Sequence, residues 1–362
     1  MDKLRKNANR ITIGAFIFII AGFCLWGLIS PDSEVSKPER RKLAQAPVLS
    51  IDNVMGGRYF SELDKYLADQ FPLRDAFRSL NAGFRLGALS QSDVNGLYIE
   101  NEVIFKSTYP VNEKNVIKFA QATNKIYHEF IEGRADHYYA GVIPDKEYFS
   151  NHLKADAGEA AEIFKLNLEG ARYIDIFKGL NLESYYKTDT HWSQDKLLPV
   201  MDILGREMGF DTAKNYEVKT LSPFYGVYWG QLALDLPGED LKYLTNSAID
   251  QSVVSNIEKP EFKQVYDVDA FEGVDGYDVF LSGATPLISI VSPLAETDKE
   301  LVIFRDSFGS SIAPLFLNHY GKVTLVDLRY LSPDILGEYV DCTGKDVLVL
   351  YSSLILNSSI VF

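Results

Sequence analysis

Residues Ile11 to Ile29 (ITIGAFIFIIAGFCLWGLI) run for 19 positions without a charge. As a helix rising ~1.5 Å per residue, the run spans roughly 28 Å, close to the hydrocarbon thickness of a bilayer. Nothing polar interrupts it, which argues against a buried helix of a soluble domain. Lys3, Arg5, Lys6 and Arg10 precede it against Asp2 alone. The positive-inside rule keeps that end in the cytoplasm and puts everything after Ser30 outside. The competing reading is a cleaved signal peptide. The run is long for one, and Leu28-Ile29-Ser30-Pro31-Asp32 offers no small-x-small cleavage site. Phe23 before Cys24 is also a poor lipoprotein signal. The expectation is a cytoplasmic basic tail over 1–10, a single-pass signal anchor over 11–29, and an extracytoplasmic remainder.

Charge divides the chain at the same place. Residues 1–30 carry a net +3, which leaves −17 on the rest of a chain whose net charge is −14. An acidic body repels a polyanion, so nucleic acid is not expected as a partner. With 46% apolar and 24% charged residues in 362, the chain is globular rather than disordered and can bury a large core. Cys342 is the one cysteine beyond the anchor, so no intrachain disulfide can staple the outer part. Neither CxxC nor HExxH occurs, and His128, His137, His152, His191 and His319 show no zinc-ligand spacing. No metal site is expected.

Residues 30–50 read as a juxtamembrane stalk, with Pro31, Pro38, Pro47 and the cluster Glu39-Arg40-Arg41-Lys42. Phe60, Leu63, Leu67 and Phe71, then Phe77, Leu80 and Phe84 after Pro72, follow helical spacing. Leu97 to Lys106 predicts a hairpin. Asn112 predicts the cap of a helix ending at Gly133, and Ser193 the cap of another ending at Gly209. His137–Ile143 and Tyr173–Phe177 predict strands around a helix over 159–168. Residues 210–276 are weakly periodic and rich in Tyr, Asp and Gly, and predict a loop-rich insertion. Beyond it, strands at 301–304, 323–328 and 347–351 alternate with a helix over 310–318. Apolar runs of this kind indicate a mostly parallel sheet buried on both faces and flanked by helices, an α/β class, over 51–362.

Two short segments carry reactive side chains. In Lys187-Thr188-Asp189-Thr190-His191-Trp192-Ser193, Asp189 and His191 are two apart, so an extended chain puts both on one face. A carboxylate there can orient an imidazole and stabilise its protonated form. Trp192 can wall the pair from water. The bland alternative is a capped loop. In Leu301 to Ser310 (LVIFRDSFGS), an apolar strand meets a tight turn bearing Ser307 and then small residues. Such a turn exposes a nucleophile at the carboxyl edge of a parallel sheet, with backbone N–H groups available to a developing oxyanion. The bland alternative is a plain strand–cap–helix junction.

Together, KTDTHW, the strand running into RDSF, and HYGKVTLVDLRY resemble the DHHW family. That family belongs to the SGNH-hydrolase-like proteins related to the alginate O-acetylation proteins AlgJ and AlgX. ERRKLAQAP, LADQFPLRDAF, VIPDK and YDVFLSGATPLISI extend the likeness over roughly residues 39–352. The resemblance implies a permuted SGNH-like sheet, with Ser307 as nucleophile, His191 as base and Asp189 as its partner. It implies acetyl transfer to or from a carbohydrate hydroxyl through an acyl-serine, without an organic cofactor. Gly283-Ala284 stands where the family pattern has Gly-Asn, so a side-chain oxyanion donor worth roughly 3–4 kcal/mol is missing. The N–H groups of Phe308 and Gly309 are then the expected oxyanion donors. Arg305 either contacts an anionic group or pairs with an acid on the surface. Lys146 lies near the site or is simply solvated. Tyr228 and Trp229, beside Tyr225, either stack on sugar rings or pack in the core. Asp327 and Arg329 suit a structural ion pair, and His319 the end of a helix.

The expected activity is that of a membrane-anchored O-acetyltransferase or esterase acting on a cell-surface or exopolysaccharide. A membrane-bound transporter of acetyl groups is the implied further partner. The alternative from another class is a catalytically inactive binding or scaffold protein of envelope or polysaccharide assembly, which Ala284 favours.

Overall fold

The computed structural model describes residues 2–108, 110–151 and 157–359. The chain divides into two compact units, Met1–Val94 with Gly230–Asp235, and Asn95–Trp229 with Leu236–Phe362. The boundary falls after Val94, whereas the sequence pattern placed the start of the α/β domain at residue 51.

In the first unit, α1 (Asp2–Ile29) carries the apolar run. Its stretch Asn9–Ile29 is long and apolar enough to cross a membrane, and none of its residues is fully buried. The following segment is folded rather than a free stalk, because Val35–Ser36 pairs antiparallel with Arg41–Lys42. After one short helical turn at Ile51–Met55 come two amphipathic helices, α2 (Arg58–Asp69) and α3 (Arg74–Gly83). The Asp69 carboxylate accepts from both Arg41 Nη1 (2.8 Å) and Nη2 (2.5 Å) and from the Ala44 N–H (2.8 Å). The hydrogen-bonded guanidinium holds that carboxyl down at about 2.

The second unit is built on seven strands: β1 (His137–Ile143), β2 (Arg172–Tyr173), β3 (Val253–Asn256), β4 (Leu287–Val291), β5 (Glu300–Arg305), β6 (Lys322–Val326) and β7 (Asp346–Ser352). They lie in the order β2-β1-β7-β5-β6-β4-β3. Neighbours from β2 to β6 are parallel, and β4 and β3 close one edge antiparallel. Alternate residues serve opposite faces. Leu301, Ile303, Leu348 and Leu350 pack with Val200, Met201 and Leu204 of α6 (Leu198–Met208). Val302, Phe304, Val347 and Val349 pack with Val116 and Phe119 of α4 (Glu113–Ile126) and Phe164 of α5 (Ala157–Asn167). Burial on both faces is why these strands read as unbroken apolar runs.

The hairpin pairs Leu97–Glu100 with Val103–Lys106, and Asn112 Oδ1 accepts from the Asn115 N–H (3.2 Å) as expected of a cap. Three elements differ from the sequence pattern. The helix expected over 310–318 is α-helical only at Gly309–Ile312 and tightens over Ala313–Phe316, where Pro314 supplies no N–H. The helix expected from Ser193 begins as a tight turn, Gln194–Lys196, and becomes regular at Leu198, with Pro199 in its first turn. Ser193 donates its hydroxyl to Asp195 Oδ1 (2.6 Å) instead of capping the backbone. Ladder pairing in the segment expected at Tyr173–Phe177 is confined to Arg172–Tyr173. The 210–276 region holds a hairpin, Glu217–Phe224 with Glu239–Thr245, and supplies β3 to the sheet edge.

Candidate active site

Ser307 follows the end of β5 at the carboxyl edge of the parallel strands, the edge where open α/β sheets place their sites. Asp306 fastens the turn that presents it. Its Oδ1 accepts from the Phe308 N–H (3.1 Å), and its Oδ2 accepts from the N–H of Ser352 at the end of β7 (2.8 Å). The turn is tight enough that a Cβ on Gly309 would sit 2.6 Å from the Arg305 Cβ. From Leu301 to Leu317 every residue is buried except Ser307.

His191 and Asp189 reach Ser307 from a loop closed by the antiparallel bridge Tyr185–Trp192. The Ser307 hydroxyl donates to His191 Nε2 (2.7 Å), and His191 Nδ1 donates to Asp189 Oδ1 (2.6 Å). This tautomer is assigned from the carboxylate partner, which can only accept at Nδ1–H. The loop is not extended between the two residues. Asp189 Oδ1 also accepts from the His191 backbone N–H (3.0 Å), an Asx turn that sets the imidazole beside the carboxylate. Asp189 Oδ2 accepts from the Val227 N–H (2.6 Å). That approach requires glycine at 226, where a Cβ would lie 2.3 Å from the Thr188 carbonyl oxygen. Asp189 is fully buried and His191 is 6% exposed.

Aromatic rings fix the imidazole plane. Tyr277 stacks on His191 with centroids 3.8 Å apart and planes 6° apart, and Phe308 lies 4.8 Å away. Tyr277 donates its hydroxyl to Ser311 Oγ (2.7 Å), and Trp192 donates its indole N–H to the same atom (2.8 Å). Trp192 is thus a buried support rather than a wall facing solvent. Glu239 holds the loop from another side, accepting from the Lys187 and Thr188 N–H groups (2.8 and 2.7 Å).

Several expected roles change. The Phe308 N–H is committed to Asp306 Oδ1, and the Gly309 N–H donates to the Asp306 carbonyl (3.0 Å), so neither is open to an oxyanion. In this turn the N–H of Ser307 itself meets no acceptor among the described residues. Arg305 is neither on the surface nor open to an anion. It is fully buried with Nη1 3.6 Å from the buried Asp327 carboxylate, and Nη1 also donates to the Asp306 carbonyl (3.3 Å). Arg329 completes that pair from the edge, donating Nε (2.9 Å) and Nη2 (2.6 Å) to Asp327. Tyr228 is buried and donates to Thr190 Oγ1 (3.0 Å), so its ring is not free to stack on a sugar. Trp229 is half-buried, with its indole N–H on the Leu236 carbonyl (2.8 Å) and its ring against the exposed Tyr225 (4.7 Å). His319 is buried, with Nδ1 3.6 Å from Glu296.

Lys146 is not solvated. Fully buried, its ammonium donates to three backbone carbonyls, of Tyr186 (2.9 Å), Lys187 (3.1 Å) and Asp189 (2.6 Å), and sits 5.0 Å over the Tyr228 ring. It clamps the loop that bears Asp189 and His191. Burial pushes this ammonium down to about 8. Between about 8 and the ordinary 10.5, the native chain has shed a proton that the unfolded chain still holds. This group's contribution to stability therefore grows as pH rises across that window. Lys146→Met leaves three buried carbonyls unsatisfied and is expected to cost about 3 kcal/mol or more. In denaturant titrations, the stability gap between the natural protein and the variant should widen from pH 7 to pH 10. A gap that is constant or shrinks would show that the ammonium does not titrate in that window.

Among the described residues, no cluster of three or more His, Cys, Asp or Glu side chains could hold a metal ion. No family model and no curated protein matches the chain. Solved structures do. A DHHW family protein from Eubacterium siraeum aligns with a TM-score of 0.62 at 16% identity, over 74% of this chain and 93% of that one. The fold is that of the DHHW protein. PatB1 of Bacillus cereus aligns with a TM-score of 0.60 at 20% identity, over 72% of this chain and 97% of that one. The same protein with a sulfonyl adduct aligns at 0.58. The O-acetyltransferase domain of Pseudomonas putida AlgJ aligns more loosely, with a TM-score of 0.43 at 9% identity over 72% of this chain and 92% of that one, too far to bear on the chemistry here. The family likeness in KTDTHW and RDSF is thus matched by a shared three-dimensional fold.

Proposed function

We propose that the second unit is a serine O-acetyltransferase or esterase acting on a polysaccharide outside the cytoplasmic membrane, with α1 as its anchor. One observation carries this reading: a buried Asp189–His191 pair is hydrogen-bonded to Ser307, the one residue between Leu301 and Leu317 that is not buried. Such a chain serves acyl transfer. His191 Nε2 takes the Ser307 proton as Oγ bonds to the acetyl carbonyl carbon. The ester bond to the donor alcohol breaks, and that oxygen leaves with the proton from His191. An acceptor sugar hydroxyl, or water, then gives its proton to His191 as its oxygen bonds to the acyl carbon; the bond to Ser307 Oγ breaks, and Oγ takes that proton back from His191. Asp189 stabilises the imidazolium in both steps, and the Ser307 N–H is the donor nearest the developing oxyanion. Acetyl groups made in the cytoplasm would need a membrane-bound transporter to reach this site. The sulfonyl adduct of PatB1, on the same fold, is consistent with covalent chemistry.

A second reading, an inactive scaffold, is favoured by Ala284 and by the commitment of the Phe308 and Gly309 N–H groups within their own turn. One experiment separates the two. The purified protein is incubated with 4-nitrophenyl acetate, quenched in acid, and peptide-mapped by mass spectrometry. The active-site reading expects an acetyl group on the Ser307 peptide, absent in His191→Ala and discharged by an added acetyl-accepting glycan. A folded protein that stays unacetylated supports the scaffold.

A further inference from the structure

The first unit turns large apolar side chains outward. Phe60, Leu67 and Phe71 share one helical stripe, and Leu73, Phe77, Leu80 and Phe84 share another. These side chains point outward, with Phe60 56%, Leu67 55%, Leu80 68% and Phe84 55% exposed. Three charged side chains of the same helices are drawn inward, while Arg58, Asp64, Lys65 and Asp75 stay exposed. Asp69, Arg74 and Arg78 form a network with Glu39 and Arg41, their side chains being 12%, 17%, 21%, 16% and 40% exposed. A unit stable in water hides its large apolar side chains and exposes its charges, and contiguous outward apolar surface marks a contact with something apolar.

Position along α1 identifies that apolar phase. Phe23 lies six residues before Ile29, roughly 9 Å inside the end of the apolar run. Its ring stacks on Phe71 (5.4 Å, 17°) and meets Phe77 edge-on (5.8 Å, 65°), and Phe71 and Phe77 touch each other (5.7 Å). Pro72 closes on Gly27 closely enough that a Cβ there would lie 3.6 Å from its Cδ. Whatever surrounds Phe23 therefore surrounds Phe71 and Phe77.

We propose that α2 and α3 lie in the membrane that α1 crosses, at its Ile29 end, with Phe60, Leu67, Phe77, Leu80 and Phe84 immersed in lipid and the Glu39–Arg74 network facing the headgroups. An amphipathic helix pair of this kind holds an interfacial position by its buried apolar area. This rests on α1 being a membrane span, as the function above does, and it adds a second membrane contact independent of the Ser307 chemistry.

The test uses the full chain with Cys24→Ser, Cys342 being buried. Single Cys substitutions at Leu67, Leu80, Phe18 and Glu162 are labelled with nitrobenzoxadiazole and reconstituted in phosphatidylcholine–phosphatidylglycerol vesicles. Quenching is read with lipids carrying doxyl near the headgroup or deep in the chain, and with aqueous iodide. Labels at 67 and 80 are expected to lose emission to the shallow doxyl lipid and to resist iodide. The label at 18 should respond to the deep doxyl lipid, and that at 162 to iodide. With 18 in lipid, iodide quenching at 67 and 80 equal to that at 162 overturns the proposal. So does protection from both quenchers, which means that protein covers the face. A label at 18 in water refutes the anchor itself and is distinguishable from either result.

Discussion

Ser307→Ala is expected to lower turnover of an acetyl ester by about 10³-fold or more while leaving the fold intact, a loss of about 4 kcal/mol of transition-state stabilisation. The size follows from the site. Ser307 is the solvent-reaching end of the chain through His191 Nε2 (2.7 Å) to Asp189. Without Oγ no acyl-enzyme can form, and His191 has only water to activate. The same substitution removes one hydrogen bond at a half-buried position, so stability should change by no more than about 1 kcal/mol. The measurement is kcat with 4-nitrophenyl acetate set against the thermal midpoint. Turnover that survives in the variant places the nucleophile elsewhere.

Asp189→Asn should reduce kcat by roughly 10³- to 10⁴-fold, and here stability should fall as well. Asp189 accepts at both oxygens, Oδ1 from His191 Nδ1 and the His191 N–H, and Oδ2 from the Val227 N–H (2.6 Å). An asparagine keeps one carbonyl oxygen. If its NH₂ faces the ring, it donates to Nδ1 and forces the proton onto Nε2, where the imidazole can no longer accept from Ser307. If its NH₂ faces Val227, two N–H donors confront each other in a fully buried spot, at about 1–3 kcal/mol. The amide thus spoils either the tautomer or the loop. The two variants should separate cleanly, with Ser307→Ala inactive at unchanged midpoint and Asp189→Asn inactive at a lowered one. The His191 ring nitrogens, read by ¹⁵N NMR, should report Nδ1–H in the natural protein. Nδ1–H kept in an inactive asparagine variant would rule out the tautomer explanation.

Two halves of the candidate site stood out along the chain. Asp189 and His191 are two residues apart, and Ser307 follows an apolar strand, so each half of the site is a local pattern. What joins the halves is not local. Tyr277 stands 86 positions from the His191 ring it covers. The block YDVFLSGA that contains it was visible, but nothing in the block says which ring it meets. Glu239 carried no signal at all, since a lone glutamate in a loop has no period. Lys146 followed a proline after a strand, which suits a solvated turn as well as a buried clamp. Its three carbonyl partners lie about 40 residues on. The oxyanion expectation failed for a related reason. Asp306 and the turn that folds back on it claim the N–H groups of Phe308 and Gly309, and claims of that kind depend on backbone dihedrals rather than on residue type.

Short-range spacing by itself determined the membrane-length apolar helix and the doubly buried sheet, whereas Ser307, His191 and Asp189 were singled out by the family resemblance of their two segments. The helix and the sheet follow from periodicity and composition within a few residues. The tertiary structure alone decided what each of them touches. It buried Arg305 on Asp327, turned Lys146 into a brace for the Asp189 loop, and set the ring of Tyr277 against the imidazole. It also turned Phe60 and Phe84 outward and drew Asp69 and Arg74 together with Glu39 in the unit that contains α1. Periodicity says which side chains share a face, whereas the phase that covers that face is set by where Phe23, Phe71 and Phe77 meet.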